Sequence, residues 1–171
     1  MSIDANGGHS SKVDNGEFFD YEYASSTDTW IVKDKQGTVY TFGATINSRQ
    51  DDLGDPTKVF KWMLEEIRDT NDNFIRYEYY KDNGQIYPYK IFYTGHSTTD
   101  GIFEVEFLRE ARNDNLNSFA TGFNVYNDYR INEIEISVNN QWEKKSPCLI
   151  NWLNNFRTKD FMKSTIPVEA K

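Results

Sequence analysis

Residues 58–79 read KVFKWMLEEIRDTNDNFIRYEY, and the fold turns on how they are read. Phe60, Trp62 and Leu64 alternate as in a strand, but Phe60, Met63, Leu64 and Ile67 also fit helical spacing. Periodicity alone leaves 58–69 open. The continuation arbitrates. Asp69-Thr-Asn-Asp-Asn73 is a cluster of turn formers. Phe74–Tyr79 is strongly β-prone, with Ile75, Tyr77 and Tyr79 on one face and Arg76 and Glu78 on the other. A strand, a tight turn and a strand is the simplest reading.

The same pattern extends in both directions. Upstream, Phe19, Tyr21 and Tyr23 alternate with Asp20 and Glu22. Trp30–Asp34 and Thr38–Phe42 flank Asp34-Lys-Gln-Gly37, a hairpin turn in which Gly37 can take positive φ. Residues 47–57 (NSRQDDLGDPT) read as a loop. Downstream, Asp82-Asn-Gly84 is a turn, Pro88 stands at the start of strand 89–93, and Thr94–Gly101 reads as a loop. Phe103, Val105 and Phe107 alternate with Glu104 and Glu106; Ile134, Ile136 and Val138 alternate with Glu133, Glu135 and Ser137. Between them, 112–122 is Asn-rich and loop-like. Turn signals every 8–12 residues point to an all-β fold, an antiparallel meander of hairpins. Residues 1–16 read as a flexible lead-in, 17–140 as the β segment and 141–171 as a tail of different character. In that tail Pro147 precedes Leu149, Trp152, Leu153 and Phe156 at helical spacing, so 148–157 is expected to form a short amphipathic helix.

The chain has 171 residues (20.1 kDa), about one domain, with 37% hydrophobic residues and a mean hydropathy of -0.77. No run approaches the ~20 apolar residues of a membrane-spanning helix. Aromatics reach 16%, too many for a disordered chain. A net charge of -8 without clustered Lys and Arg argues against nucleic-acid binding. One cysteine, Cys148, precludes an internal disulfide and a Cys-based zinc site. Met1–His9 has no apolar core of a signal peptide.

Chemistry-bearing residues are few. His96 with Cys148 is the one Cys/His pairing with a histidine outside the lead-in, where His9 lies; a surface histidine and a buried thiol is the plainer reading. Asp69-x-Asn71-x-Asn73 matches the first three ligands of a calcium loop, but Phe74 and Tyr80 stand where Gly and Glu are required, so the three are better read as turn formers. Glu65/Glu66, Glu104/Glu106 and Glu133/Glu135 could supply paired carboxylates to a hydrolase, yet residues two apart on a strand share a face and read as its solvated side. Exposed Trp and Tyr could stack on sugars, or fill a sheet's core face. No catalytic, cofactor-binding or metal-binding residue is expected.

Four motifs in order resemble one family. WIVKDKQGTVYTFG (30–43), WMLEEIRDTNDNFIRYEY (62–79), YPYKIFYTG (87–95) and FEVEF (103–107), the last with Arg112-Asn-Asp114 and Arg130–Ile134, resemble segments of SpvB-like proteins and the B subunits of insecticidal toxin complexes, over residues 17–138. Asp72 stands where that family usually has Gly, and Asp tolerates the left-handed geometry.

The resemblance implies a non-enzymatic role. Its members' segments are strands of a β-sheet shell, related to Rhs/YD-repeat shells, that encloses a toxic polypeptide. It also implies other toxin-complex subunits as protein partners and an extracellular destination after a cytoplasmic stage. Trp30, Tyr40, Phe42, Trp62, Leu64, Ile75 and Tyr77 are the expected core in the first half of the segment. Tyr79, Ile91, Tyr93, Val105, Phe107, Ile134 and Ile136 continue it in the second. Unpaired edges would favour self-association. The alternatives are a carbohydrate-binding β-domain and a β-rich hydrolase.

Overall fold

The computed structural model describes residues 2–3, 9–10, 16, 18–139, 141–147 and 165–167. In chain order the strands are β1 (Ser2–Ile3), β2 (His9–Ser10), β3 (Asp20–Ala24), β4 (Thr29–Lys33), β5 (Val39–Phe42), β6 (Arg49–Asp52) and β7 (Asp55–Arg68). They continue as β8 (Asn73–Asp82), β9 (Gln85–His96), β10 (Phe103–Ser118), β11 (Val125–Val138), β12 (Gln141–Pro147) and β13 (Thr165–Pro167). The sheet runs β1-β2-β3-β4-β5-β7-β8-β9-β10-β11-β12, and β6 and β13 pair with β7 off this path. Among the described residues all the strand pairings are antiparallel, as the meander reading expects.

Two turns of one design set the register. Asp34 N–H donates to the Thr38 carbonyl (3.1 Å) and Gly37 N–H to the Asp34 carbonyl (3.0 Å). Asp34 Oδ1 accepts from the amides of Gln36 and Thr38, both at 2.9 Å. Asp69 repeats this: its N–H donates to Asn73 (2.9 Å), Asp72 N–H donates back to Asp69 (3.2 Å), and Oδ1 accepts from the amides of Asn71 (2.8 Å) and Asn73 (2.9 Å). The left-handed position is Gly37 (φ 88) in the first turn and Asp72 (φ 61) in the second.

β7 belongs to two ladders. Its C-terminal half pairs with β5 (Tyr40↔Ile67) and β8 (Ile67↔Ile75). Its N-terminal half pairs with β6 (Arg49↔Trp62) and β13 (Ile166↔Trp62). The apolar core forms where these meet: Trp30, Val32, Phe42, Trp62 and Leu64 are buried, with Tyr21, Tyr40, Val59, Ile67 and Tyr77 packed around them. Trp62 lies on Gly43, where a Cβ would collide with the indole, and its Nε1–H donates to the Asp28 carbonyl (2.9 Å). Of the expected core, Trp30, Phe42, Trp62, Leu64 and Tyr79 are buried. The other nine are half-buried.

Several loop expectations are corrected. Residues 47–57 hold the end of a 3-10 turn (Ile46–Ser48), β6 and the start of β7. Their strand bonds are supplied by β7, so no apolar alternation is needed to mark them. Thr94, Gly95 and His96 belong to β9, where the Phe74 ring packs across the strands onto Gly95 and takes the place of its missing side chain. Pro88 lies inside β9, opposite Tyr79 at a register shift, where a bulge tolerates a missing donor. Residues 112–118 belong to β10, whose pairing with β11 is interrupted between Ala111 and Leu116 and resumes at Leu116. β12 carries the sheet past residue 140, and β1 and β2 lie within the expected lead-in. The expected helix over 148–157 lies outside the described residues.

Candidate functional site

Opposed residues in an antiparallel pair share a face. One face therefore carries Glu66–Arg76–Phe92–Glu104–Ser137 across β7 to β11. The next row is Glu78–Lys90–Glu106–Glu135, with Lys145 of β12 in register beyond. The other face carries the apolar set, Tyr77–Ile91–Val105–Ile136.

The charged rows are tied together. Lys90 Nζ reaches Glu104 (2.7 Å) and Glu106 (3.4 Å). Burial disfavours the ammonium, but the hydrogen bond to Glu104 and both carboxylate charges outweigh it and hold the Lys90 pKa above the ordinary lysine value. Arg76 bridges Asp100 (2.7 Å) and Glu78 (3.4 Å) and lies over the Phe92 ring. The expectation of a solvated carboxylate face is corrected here: Glu104 and Glu106 are half-buried beside Lys90, and Glu135 is only 5% exposed. The cross-strand lysine draws the carboxylates onto the sheet.

Where the paired strands separate, tyrosines fill the forks. The ladder of β7 with β8 stops at Ile75–Arg76, and Tyr79 Oη then donates to the Leu64 carbonyl (2.6 Å). Lys81 pairs with Asp51, and Gln50 Nε2 donates to the Gly84 carbonyl (2.9 Å). Burial, then the neighbouring Tyr77 and Glu65, push the Tyr79 hydroxyl pKa well up. The ladder of β9 with β10 covers only Lys90–Tyr93, and Tyr87 Oη accepts from the amides of Asp128 (2.9 Å) and Tyr129 (3.2 Å). Arg109 stacks on Tyr80 (4.1 Å) and Tyr89 (5.2 Å) beside it.

A shallow hollow of about 300 Å³ opens beside the charged rows, lined by Phe92, Asp100, Gly101, Ile102, Glu104 and Asn139. Its two carboxylates are each held by a cation, Asp100 by Arg76 and Glu104 by Lys90.

Among the described residues the individual candidates form no common site. His96 is exposed at the end of β9, its backbone bridged to Thr99. Cys148 and the His9 side chain lie outside the described residues. Asp69 spends its oxygens on the turn amides and the Asn73 side chain. These bonds, the Asn73 side chain first, hold the Asp69 carboxyl below its ordinary pKa. Glu65 Oε2 accepts from Ser48 Oγ (2.7 Å) and the Thr45 amide (2.8 Å), a structural role. Among the described residues no group of three or more His, Cys, Asp or Glu could hold a metal ion. Sequence reading passed over Lys90, Arg109, Tyr87 and Asp28. Glu104-x-Glu106, facing a lone lysine on the preceding strand, is the one signal that pointed to Lys90.

Comparison with known proteins bears on these features. Residues 10–118 match the family described as SpvB, Salmonella virulence plasmid 65kDa B protein. A search of curated proteins returns no match. Among solved structures, the N-terminal domain of effector protein SpvB from Salmonella typhimurium strain LT2 superposes with a TM-score of 0.62 at 15% identity, over 69% of this chain and 52% of that one. The TcdB2-TccC3-Cdc42 structure gives 0.63 at 17%, over 75% and 9%. The Photorhabdus luminescens Tc holotoxin pore gives 0.58 at 16%, over 69% and 8%. This chain thus spans about half of the SpvB domain structure and less than a tenth of the two Tc chains. At these identities the likeness establishes a shared fold. With the family match over most of its β segment, the chain belongs to the SpvB family, and its sheet has the fold that this family shares with Tc toxin chains.

Proposed function

We propose that this chain is a non-enzymatic wall segment of a toxin-complex shell of the Rhs/YD type, which encloses a polypeptide cargo and acts outside the producing cell, in an insecticidal or virulence setting. One observation carries the reading. In the β8–β11 half the strands follow chain order and are tied edge to edge, while the apolar residues Ile91, Tyr93, Val105, Phe107, Ile134 and Ile136 stay only half-buried. That is how one layer of a larger wall is built, with function in strand pairing and packing. Its partners are other toxin components. No helix among the described residues is long and apolar enough to cross a membrane.

A cargo-protection assay tests this. The complete gene product containing these residues, carrying a fluorescently tagged cargo polypeptide, is exposed to protease. Retention of the tag until the shell is denatured is the expected result; digestion at the rate of free cargo contradicts it. A glycan array read in parallel distinguishes the carbohydrate-binding alternative, which requires signal lost on aromatic-to-Ala substitution.

A further inference from the structure

We propose that Thr94–Gly101 is a latched strap on one side of the hollow beside Phe92, held shut by Arg76 on Asp100 against backbone strain at Thr94, and that it opens locally about that residue. The strain shows in the register. Phe74 pairs with Gly95 and Arg76 with Phe92, so Tyr93 and Thr94 both stand opposite Ile75, a β-bulge in β9. In this bulge Thr94 has φ 67. A β-branched residue is an outlier there, and such geometry persists only where surrounding contacts impose it. Gly101 supplies one of them. A Cβ on it would collide with the Tyr93 carbonyl, so the returning chain lies directly on the bulge.

The ties that hold the strap down run to the β7–β8 hairpin. Arg76 reaches Asp100 (2.7 Å), Arg68 Nη1 donates to the Ser97 carbonyl (3.0 Å), and Ser97 N–H donates to the Asp72 carbonyl (2.9 Å). Ser97 and Asp100 are exposed. Ion pairs between exposed groups are weak and are screened by salt. Arg76 also has Glu78 at 3.4 Å, so letting go of Asp100 does not strand its charge. The far end of the strap is fixed, because Asn139 N–H donates to the Ile102 carbonyl (2.8 Å). Asp100 and Gly101 form part of the wall of the hollow. Opening therefore takes a carboxylate off that wall and widens the approach to the Phe92 ring, and closing restores both. The strap works in the same way whether or not the sheet is part of a shell.

Amide hydrogen exchange on the intact chain tests this, with the Ser97 amide reporting on the strap and Ile31 of β4 on the core. In the parent, Ser97 should exchange at least about tenfold faster than Ile31, as a locally opening segment does. Thr94→Gly accepts the left-handed geometry and should slow exchange at Ser97 by at least about fivefold. Asp100→Asn should quicken it about threefold. Added salt should quicken it in the parent and not in Asp100→Asn. Exchange of Ser97 at the rate of Ile31 means that the strap has no opening of its own and overturns the proposal. Equal or faster exchange at Ser97 in Thr94→Gly overturns the strain, and an unchanged rate in Asp100→Asn overturns the latch.

Discussion

The two halves of the sheet are held by different chemistry. Around β3–β5 and β7, Trp30, Val32, Phe42, Trp62 and Leu64 close an apolar core. Across β8–β11 the row Tyr77, Ile91, Val105 and Ile136 is only half-buried, burial being confined to Phe74, Tyr79, Tyr87 and Val125 towards the strand ends, and the strands are joined by Lys90 with Glu104 and Glu106, by Tyr87 on two amides, and by Arg109 on two tyrosine rings. A region that buries its own face is stabilised mainly by removing apolar area from water. A region whose apolar row stays half-buried depends more on cross-strand pairs. Tyr79, reaching from β8 to the Leu64 carbonyl, joins the two regimes.

This contrast can be broken from the core side first. Trp62→Ala should cost about 3–5 kcal/mol, the usual range for emptying a large buried aromatic site, read by urea unfolding followed by circular dichroism. Hydrogen exchange should then quicken at β4 and β5 before β10 and β11. Uniform quickening would show the halves to be one cooperative unit.

The fork gives the next effect. Tyr79→Phe removes the donor to a buried carbonyl and should cost about 1–3 kcal/mol. It also carries a pH signature. The Tyr79 hydroxyl is raised above the unfolded tyrosine value near 10, so its contribution is fully present below that pH and is lost as pH rises through the folded pKa. Tyr23, whose hydrogen bond to Asp28 and burial push it up to about 12, acts in the same direction. Parent stability should therefore fall above pH 10, and Tyr79→Phe should flatten that fall. An unchanged slope would remove Tyr79 from the account.

The charged rows come next. Lys90→Met leaves Glu104 and Glu106 side by side on one face without their cation. The site is partly exposed, so a loss of about 1–2 kcal/mol is expected after allowance for screening. Parent and variant should converge as salt rises, and Trp62→Ala should show no such convergence. Smallest is the turn pair. Asp72→Gly should add up to ~1 kcal/mol by relieving a left-handed non-glycine residue. Gly37→Asp should destabilise, because a Cβ there meets the Thr70 methyl at 2.8 Å and φ is +88. A loss on Asp72→Gly would mean that the Asp72 side chain matters beyond its backbone.

The main strands were legible because their alternation is written in bulky residues: Trp30–Val32, Phe74–Tyr79 and Phe103–Phe107 announce period two without help. β6 was hidden because Arg49-Gln-Asp-Asp52 pairs through its backbone and seats its side chains in polar contacts, as Gln50 does on Gly84. The Asn-rich end of β10 was hidden because loop-forming residues there are paired with β11. Asp72 takes the left-handed geometry (φ 61) that the family resemblance, with Gly at this place, implies. The charged rows were misread as solvated because one strand shows which residues share a face, and only register shows what stands opposite.

Electron cryomicroscopy of the complete gene product in which these residues occur tests the central claim most directly. The account predicts that β8–β11 form part of the wall of a hollow particle, with the Ile91–Val105 face and the Lys90–Glu106 face on its two sides. A solid domain, with that apolar face buried under a second layer of the same chain and no enclosed space, would contradict it.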